Sequence, residues 1–251
     1  MRLATLQNAS IAEYFQVIES QPQGLTHLFR GQRDSRWGLI PSLYRLRNLC
    51  CQTGKLEEDY DIHEDQSIAL FFREGLPYLP QIARNSTNDR VIAQHFGVPT
   101  RLLDWSRDPL VALYFAVEEA SAGVDAAVFM IAPNIEGPRE IRSVAGERPV
   151  IAITPPAIDR RIPAQKSVFT FHPYGESNEP FVPLDKRDDI GREFHTGSTT
   201  KRGFAKIVIP AALTERLRNK LFKMGIDRRN LFPGLDGVGR DVGARSALGL
   251  F

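Results

Sequence analysis

The chain has 251 residues, of which 42% are hydrophobic and 25% are charged. This balance is close to that of folded globular proteins and excludes a largely disordered chain. The 32 Lys and Arg residues nearly cancel the 30 Asp and Glu residues. The resulting net charge of +2 argues against a protein that binds nucleic acid mainly through a strongly basic surface. No apolar run has the length of a signal peptide or of a membrane span, and the two cysteines, Cys50 and Cys51, are adjacent without zinc-ligand spacing. We therefore expect a cytoplasmic protein with no membrane segment and no metal.

The first 100 residues carry mainly helical patterns. Ser10 and Glu13 form a capping box that opens a helix, and Leu25–Arg30 is typical of a short strand entering a turn. Two further helices are predicted, near Glu57–Phe72 and over Asp89–Phe96.

The chain is organised around the stretch Gln94–Ala116, which reads QHFGVPTRLLDWSRDPLVALYFA. It predicts a turn-rich connection with many polar groups, followed at once by an amphipathic helix. Asp108 is a suitable N-cap, and Pro109 suits the first helical position, where no N–H is needed. Polar loops that are fixed at both ends by buried structure often carry binding and catalytic residues, so we place the candidate site here.

The second half of the chain is richer in strands. Short apolar or alternating runs bounded by Pro and Gly predict four of them, which are Ala126–Ile131, Val150–Thr154, Ser167–Phe171 and Ala205–Ile209. A helix is expected over Pro210–Met224, and the polar region 174–202 is predicted to be an exposed excursion.

These elements predict an α+β fold, because helices and strands do not alternate as in βαβ units. We expect a helix-rich N-terminal half packed on a mainly antiparallel sheet that is formed largely by the C-terminal half. Residues 1–24 are expected to form an N-terminal helix, and residues 25–251 a single domain.

The segment Phe29–Gln32, FRGQ, is the first candidate binding element. Arg30 at a strand end presents a forked cation suited to phosphate or carboxylate, and Gly31 would let a ligand approach the backbone closely. The alternative is that Arg30 is paired with a structural aspartate, since ion pairs explain most such arginines.

The second candidate is the polar connection itself. Arg101 and Asp104 are close enough to pair and fold the loop on itself, and Trp105 with Tyr114 could form a wall for a planar ligand. His95 could titrate near neutral pH. A structural hydrogen bond for the histidine and a place in the core for the tryptophan are the alternatives.

Two later positions complete the candidates. Gln165, followed by Phe169, could hold an amide or a base edge, and Asp236 in PGLDG is either an acidic site residue or a turn residue. The chain contains no HExxH, CxxC, GxSxG or GxxxxGK[ST] motif, which removes the usual support for metalloprotease, redox, hydrolase and P-loop activities.

FRGQ together with HFGVPTRLLDWSRDPLVALYFA resembles the FRG domain, a bacterial and phage-associated family named for its Phe-Arg-Gly motif. The resemblance extends from about Leu25 to about Val238 and includes a Gln-x-x-x-Phe element at Gln165–Phe169. Gly234 departs from the pattern, because the late motif of the family often carries an acidic residue there.

The order of the two segments is also similar to that of ADP-ribosyltransferases, which begin with an aromatic-Arg-Gly strand and continue with a hydroxyl-bearing strand and a helix. This similarity implies an NAD-consuming enzyme, either an ADP-ribosyltransferase or a related glycohydrolase, used as a toxin or in phage defence. Arg30 would hold a phosphate or ribose of NAD, Thr100 or Ser106 would position the nicotinamide ribose, and Trp105 or Tyr114 would stack on the nicotinamide. An oxocarbenium-like centre needs an acidic group, and Asp236 or the uncharged Gln165 would have to replace the glutamate that is not evident.

The residues that the resemblance implicates in catalysis are Arg30, Thr100, Ser106, Gln165 and Asp236. Those that it implicates in binding NAD are Arg30, Gly31, Gln32, His95, Thr100, Arg101, Asp104, Trp105, Tyr114 and Phe169. The acceptor of ADP-ribose would be a protein or a nucleic acid.

A non-catalytic module that binds a nucleotide, a nucleic acid or a protein is the alternative function. It would use arginines that converge on one phosphate-binding face, namely Arg30, Arg33, Arg36, Arg45 and Arg47.

Overall fold

The computed structural model describes residues 2–21, 25–46, 56–79, 83–133, 135–136, 150–173, 181–187 and 204–247. Its strands are β1 Arg2–Thr5, β2 Leu28–Gln32, β3 Leu102–Ser106, β4 Ala126–Ile131, β5 Ile135–Glu136, β6 Ile151–Ile153, β7 Ser167–Phe171 and β8 Ala205–Ile209. Its helices are α1 Ile11–Glu19, α2 Leu56–Gly75, α3 Ser86–His95, α4 Pro109–Val117, α5 Arg161–Ala164, α6 Ala211–Lys223, α7 Arg228–Leu231 and α8 Leu235–Ala247. Cys50, Cys51, Arg47 and most of the predicted excursion at 174–202 lie outside the described residues.

All eight strands belong to one sheet in the order β1-β8-β4-β2-β3-β7-β6-β5. The predicted α+β class is confirmed. The inner pairs are antiparallel as expected, but β1 pairs parallel with β8, and β5 pairs parallel with β6. The sheet is therefore mixed, and β1, β2 and β3 come from the half that was expected to be mainly helical. β1 was not predicted, because it is short and mostly exposed and so lacks the alternation of buried and exposed residues that indicates a strand.

Helices cover one face of the sheet and irregular segments cover the other. On the first face, α1, α4 and α6 pack against β4 and β8, and Tyr14 of α1 donates a hydrogen bond to the carbonyl of Pro109 at 2.9 Å. On the opposite face, Leu39, Leu184 and Phe204 close over Phe129. Residues 102–106, predicted to belong to a turn-rich connection, form β3, because four of these five residues are buried in a sheet.

β2 and α4 are in very close contact at Gly31. A Cβ atom on Gly31 would lie 2.6 Å from the main-chain nitrogen of Ala116 and closer still to the carbonyl oxygen of Ala112. Glycine is required here because a helix backbone occupies the space of a side chain.

A buried ion-pair cluster fixes the start of β3 to α2 and α3. Glu64 is fully buried and accepts hydrogen bonds from the main-chain N–H of Arg101 at 2.7 Å, from its Nε at 2.8 Å and from Nε of Arg90 at 2.9 Å. Arg101 also pairs with Asp61. The predicted pair of Arg101 with Asp104 is wrong, because residues three apart in extended backbone point to opposite sides.

Among the described residues, none of the helices combines the length and the apolar character that crossing a membrane requires.

Candidate functional site

The sheet is weakly joined between β2 and β3. These strands pair at Phe29 and Ser106, whereas β2 pairs with β4 along its whole length from Leu28 to Gln32. A cleft of about 450 Å³, a volume within the range of small-molecule sites, is lined by both strands and by α4 and α7. Charged and aromatic side chains dominate this cleft, namely Arg30, Arg33, Arg45, Arg228, Asp104, Glu118, Glu119, Phe29, Trp37, Trp105, Phe115 and Phe232.

Arg30 reaches from β2 across the junction to β3. Its Nη1 donates a hydrogen bond to the carbonyl oxygen of Asp104 at 2.7 Å and lies 3.5 Å from Oδ2 of the same residue. The Arg30 side chain is 18% exposed and the Asp104 side chain 59% exposed, so the pair is open to the cleft rather than sealed in the core. Burial lowers the pKa of Arg30 from its ordinary value, while the Asp104 carboxylate opposes the shift. Nε of Arg30 is buried and has no partner among the described residues, which leaves one donor for a ligand.

Asp104 is itself held by a chain of hydrogen bonds that begins in the core. Thr100 is fully buried, and its hydroxyl donates to Oε1 of Gln94. Nε2 of Gln94 donates to Oδ1 of Asp104 at 2.7 Å. Thr100 therefore contributes to the site through Gln94, a residue that the sequence interpretation did not single out.

Three further predicted residues line the cleft, but each already donates a hydrogen bond within the protein. The hydroxyl of Ser106 donates to the carbonyl of Gln165 at 2.7 Å, and Nε2 of Gln165 donates to the carbonyl of Leu231 at 3.0 Å. The indole N–H of Trp105 donates to the hydroxyl of Thr170 at 2.8 Å. These bonds fix the wall of the cleft.

The remaining predicted residues do not line the cleft. They are His95, Thr100, Arg101, Tyr114, Phe169 and Asp236.

Each of these has a different setting. Nε2 of His95 lies 3.3 Å from Oδ2 of Asp159, and burial lowers the pKa of this histidine. Tyr114 borders a second cavity of about 440 Å³, and burial together with a hydrogen bond to Glu118 raises its pKa. Trp105 and Tyr114 therefore do not form one wall as predicted. Successive positions of α4 face different sides of the helix, so Phe115 lines the cleft with Trp105 while Tyr114 lines the second cavity. Asp236 is exposed on α8, outside the cleft.

Several cleft residues were missed from the sequence. Arg228 pairs with Glu118 and lies 3.3 Å from Oε1 of Glu119, which also pairs with Arg33. The guanidinium of Arg33 lies 6.0 Å from the centre of the Trp37 ring. Arg228 could not be placed from sequence, because it is more than 100 residues from both glutamates. Glu119 could have been found from the sequence, since it lies four residues after Phe115 and seven after Ala112, two positions of α4 that line the cleft.

Of the five arginines expected to converge, Arg30, Arg33 and Arg45 line the cleft, whereas Arg36 does not line it and pairs with Asp34. No group of three or more His, Cys, Asp or Glu residues in the described part of the chain is placed to hold a metal ion.

Residues 26–124 match the family model described as the FRG domain. The matched range contains β2, β3 and α4, so it supplies one side of the cleft, while Gln165, Arg228 and Phe232 come from later in the chain. No curated protein and no solved structure gives a significant match.

Proposed function

We propose that the cleft, one side of which is supplied by residues 26–124 that match the FRG domain, binds NAD and that the protein breaks the bond between nicotinamide and ribose. The activity would be that of an ADP-ribosyltransferase or an NAD glycohydrolase. Use as a toxin or in phage defence is part of the same proposal.

The observation that carries the proposal is the contact between Arg30 and Asp104. Two segments more than 70 residues apart meet in one cleft, and the guanidinium between them keeps a buried N–H without a partner among the described residues. Because arginine forms charge-assisted hydrogen bonds with phosphate oxygens, this donor suits the diphosphate of a dinucleotide.

The aromatic residues of the cleft support the same ligand. Trp37 follows β2, Phe115 lies on α4 and Phe232 directly follows α7, so the three rings come from separate parts of the chain. Flat faces of this kind stack with heterocyclic rings, and NAD has one such ring at each end of its diphosphate.

Glu119 is the carboxylate that we assign to the reacting ribose. When the C–N bond breaks, nicotinamide leaves with the bonding electron pair and the ribose carbon becomes positively charged, so a nearby carboxylate lowers the barrier. Water or a nucleophilic group of the acceptor then bonds to this carbon and gives up its proton. Glu119 lines the cleft and is half exposed, in contrast to the distant Asp236. Its partners Arg33 and Arg228 would turn to the diphosphate of NAD, which would free the carboxylate.

A non-catalytic binding module is the second candidate, and one observation favours it. Every carboxylate that lines the cleft within the described residues is paired with an arginine. A site that only binds a nucleotide, nucleic acid or protein needs no free carboxylate, and the arginines would serve it equally well.

NAD turnover and NAD binding separate the two candidates. We expect the purified chain to bind NAD by calorimetry and to release free nicotinamide, measured chromatographically with and without protein and nucleic-acid acceptors. Replacement Arg30→Ala should weaken NAD binding about tenfold or more, because hydrogen bonds to charged groups are worth about 1.5–3 kcal/mol.

Arg36→Ala is the matched control. Arg36 is six residues away, is largely exposed and pairs with Asp34 outside the cleft, so its loss should leave NAD affinity unchanged. Binding without nicotinamide release would support the non-catalytic module. Equal NAD affinity in wild type and Arg30→Ala would contradict binding of NAD by Arg30 in this cleft, and with it the proposed enzymatic function.

A further inference from the structure

Gln32 is a buried glutamine with one unused hydrogen-bonding group. It lies on β2, lines the cleft and is 6% exposed. Its Nε2 donates to the carbonyl oxygen of Gly38 at 3.3 Å, whereas its Oε1 is buried without a partner among the described residues.

The orientation of this amide is fixed by its neighbour. A carbonyl oxygen can only accept, so the amide nitrogen of Gln32 must face Gly38 and the amide oxygen must face elsewhere. The segment that carries Gly38 is itself held at both ends. Oδ1 of Asp34 accepts from the main-chain N–H of Arg36 at 2.9 Å, and Oδ1 of Asp185 accepts from that of Leu39 at 2.7 Å.

An acceptor left without a hydrogen bond in a buried position opposes folding, and native proteins satisfy nearly all such groups. A ligand that donates to Oε1 of Gln32 would remove this unfavourable state. The unsatisfied oxygen is therefore a sign of what the cleft binds.

Gln32 and Arg30 act as a pair because residues two apart on a strand share one face, roughly 7 Å from each other. Nε of Arg30 is a donor without a partner and Oε1 of Gln32 an acceptor without a partner within the described chain. A phosphate can satisfy the donor but not the acceptor, so the complementary ligand carries a donor group close to its phosphate.

Trp37 indicates which kind of donor this is. Its ring is half exposed, lies in the turn after β2 and lines the same cleft. A planar heterocycle stacked on this ring presents an amino substituent at its edge and in its plane, where a neighbouring amide oxygen can accept from it.

We propose that Gln32 selects a phosphate-bearing ligand whose heterocycle carries an NH₂ group, by accepting a hydrogen bond from that group. This inference rests on the proposed function to the extent that NAD is its expected ligand. NAD carries an NH₂ group on its adenine and another on its nicotinamide carboxamide, and either can supply the donor.

Dinucleotide analogues distinguish the two sources. Binding is measured by calorimetry for NAD, for its hypoxanthine analogue, which has a carbonyl in place of the adenine NH₂, and for its nicotinic acid analogue, which has a carboxylate in place of the carboxamide. We expect one analogue to bind wild type at least about tenfold more weakly than NAD, because its oxygen would face Oε1 of Gln32 without a proton between them.

Substitutions at Gln32 assign the difference to this residue. Gln32→Met has a similar length and no acceptor, so it should bind NAD and the disfavoured analogue with affinities within about threefold of each other. Gln32→Glu should restore the discrimination, because a carboxyl oxygen can accept from the NH₂ group of the ligand in either protonation state. Gln7→Met is the matched control, since Gln7 is exposed and its Nε2 likewise donates to a carbonyl, that of Thr5 at 3.1 Å.

The outcomes separate this inference from the proposed function. Binding of NAD without nicotinamide release, but with discrimination lost in Gln32→Met, would support Gln32 and overturn the enzymatic activity. Equal affinity of wild type for all three dinucleotides, or discrimination that persists in Gln32→Met, would overturn the role of Gln32 alone. If no dinucleotide binds, adenosine monophosphate and inosine monophosphate are compared in thermal-shift assays. A shift with the first and not the second supports the inference, and no shift with either overturns it.

Discussion

The three residues of the Phe-Arg-Gly segment have three separate roles that follow from their positions on β2. Phe29 is buried in the core beneath α4, Arg30 faces the cleft, and Gly31 provides the space that α4 occupies. Alternation along the strand produces this division, because neighbouring residues point to opposite faces. The glycine was expected to let a ligand approach, whereas the structure shows a helix in that space.

Gly31→Ala should be strongly destabilising. The added methyl group would meet the backbone of α4 rather than a flexible side chain, so α4 must shift away from β2. We expect the free energy of unfolding in urea to fall by about 3 kcal/mol or more, the upper range for overpacking a core.

Gly239→Ala serves as the control for this change. Gly239 lies on α8, and no atom lies within 4 Å of the place that an alanine methyl group would take there. Alanine should therefore slightly favour the helix, by about 0.5–1 kcal/mol. If Gly31→Ala unfolds at the same urea concentration as wild type, β2 and α4 are not packed as described.

Part of the site could be predicted at the level of residues. Arg30 and the stretch at 104–106 do line one cleft. Polar side chains beside apolar strands and helices are costly to bury in a core, so they indicate where a site opens. The partner of Asp104 could not be predicted, since Arg30 and Arg101 are equally plausible from sequence. The structure decides between them, because the extended backbone turns Arg101 away from Asp104 and Glu64 pairs with Arg101. The catalytic and binding roles assigned to these residues stay predictions.

At the level of elements, α2 acts as a clamp on the start of β3. Glu64 joins two buried arginines, one on α3 and one just before β3, and so positions the chain that leads to Thr100 and Asp104. Removing one partner of a buried ion pair leaves the others with uncompensated charge.

Glu64→Gln should therefore destabilise the protein by about 3–5 kcal/mol in urea unfolding. The substitution keeps the shape of the side chain but replaces an acceptor with an NH₂ group among three N–H donors. Glu74→Gln on the same helix should change the stability by less than about 0.5 kcal/mol, since Glu74 is exposed and lies 3.9 Å from its partner Arg73. Equal losses for the two variants would refute the clamp.

The elements that the sequence predicted best are those with strong internal patterns. β4, β7 and β8 have the predicted bounds, because their runs are apolar or alternate cleanly and end at turn residues. The N-cap of α1 is formed by Ser10 as expected, with its hydroxyl 3.3 Å from the main-chain nitrogen of Glu13. β3 was missed because its polar residues suggested a loop, and polar residues at a site are where local patterns are least informative.

At the level of the whole molecule, a buried histidine directly follows the end of β7. His172 is almost completely buried, and its Nε2 lies 2.7 Å from the hydroxyl of Thr170, which in turn accepts from Trp105. Burial, together with the positive charges of Arg187 and Arg30, lowers the pKa of His172 to about 3.

This histidine should make the folded state sensitive to mild acid. The unfolded chain takes up a proton near the ordinary pKa of 6.5, while the folded chain resists protonation until about pH 3, so stability falls as the pH drops through this window. Between about pH 7 and about pH 5, where carboxylates remain charged, we expect a loss of about 2 kcal/mol in the free energy of unfolding.

His172→Gln tests the assignment, because glutamine does not titrate and can still bond to Thr170. His27 and His95 also have lowered pKa values, and they remain in both proteins, so the comparison isolates His172. The variant should lose about 2 kcal/mol less than wild type between the two pH values. Parallel losses would show that other groups cause the sensitivity to acid.

The single residue pair between β2 and β3 has a mechanical consequence. It divides the sheet into two sets of four strands, with β1, β8, β4 and β2 on one side and β3, β7, β6 and β5 on the other. A small molecule held by Arg30 on one side and by the wall at Ser106 and Gln165 on the other would bridge the two sets where hydrogen bonds between strands are sparse. A bound molecule would then reduce the motion of the two sets relative to each other. Its affinity would depend on how well the packing of α4 keeps both sets aligned.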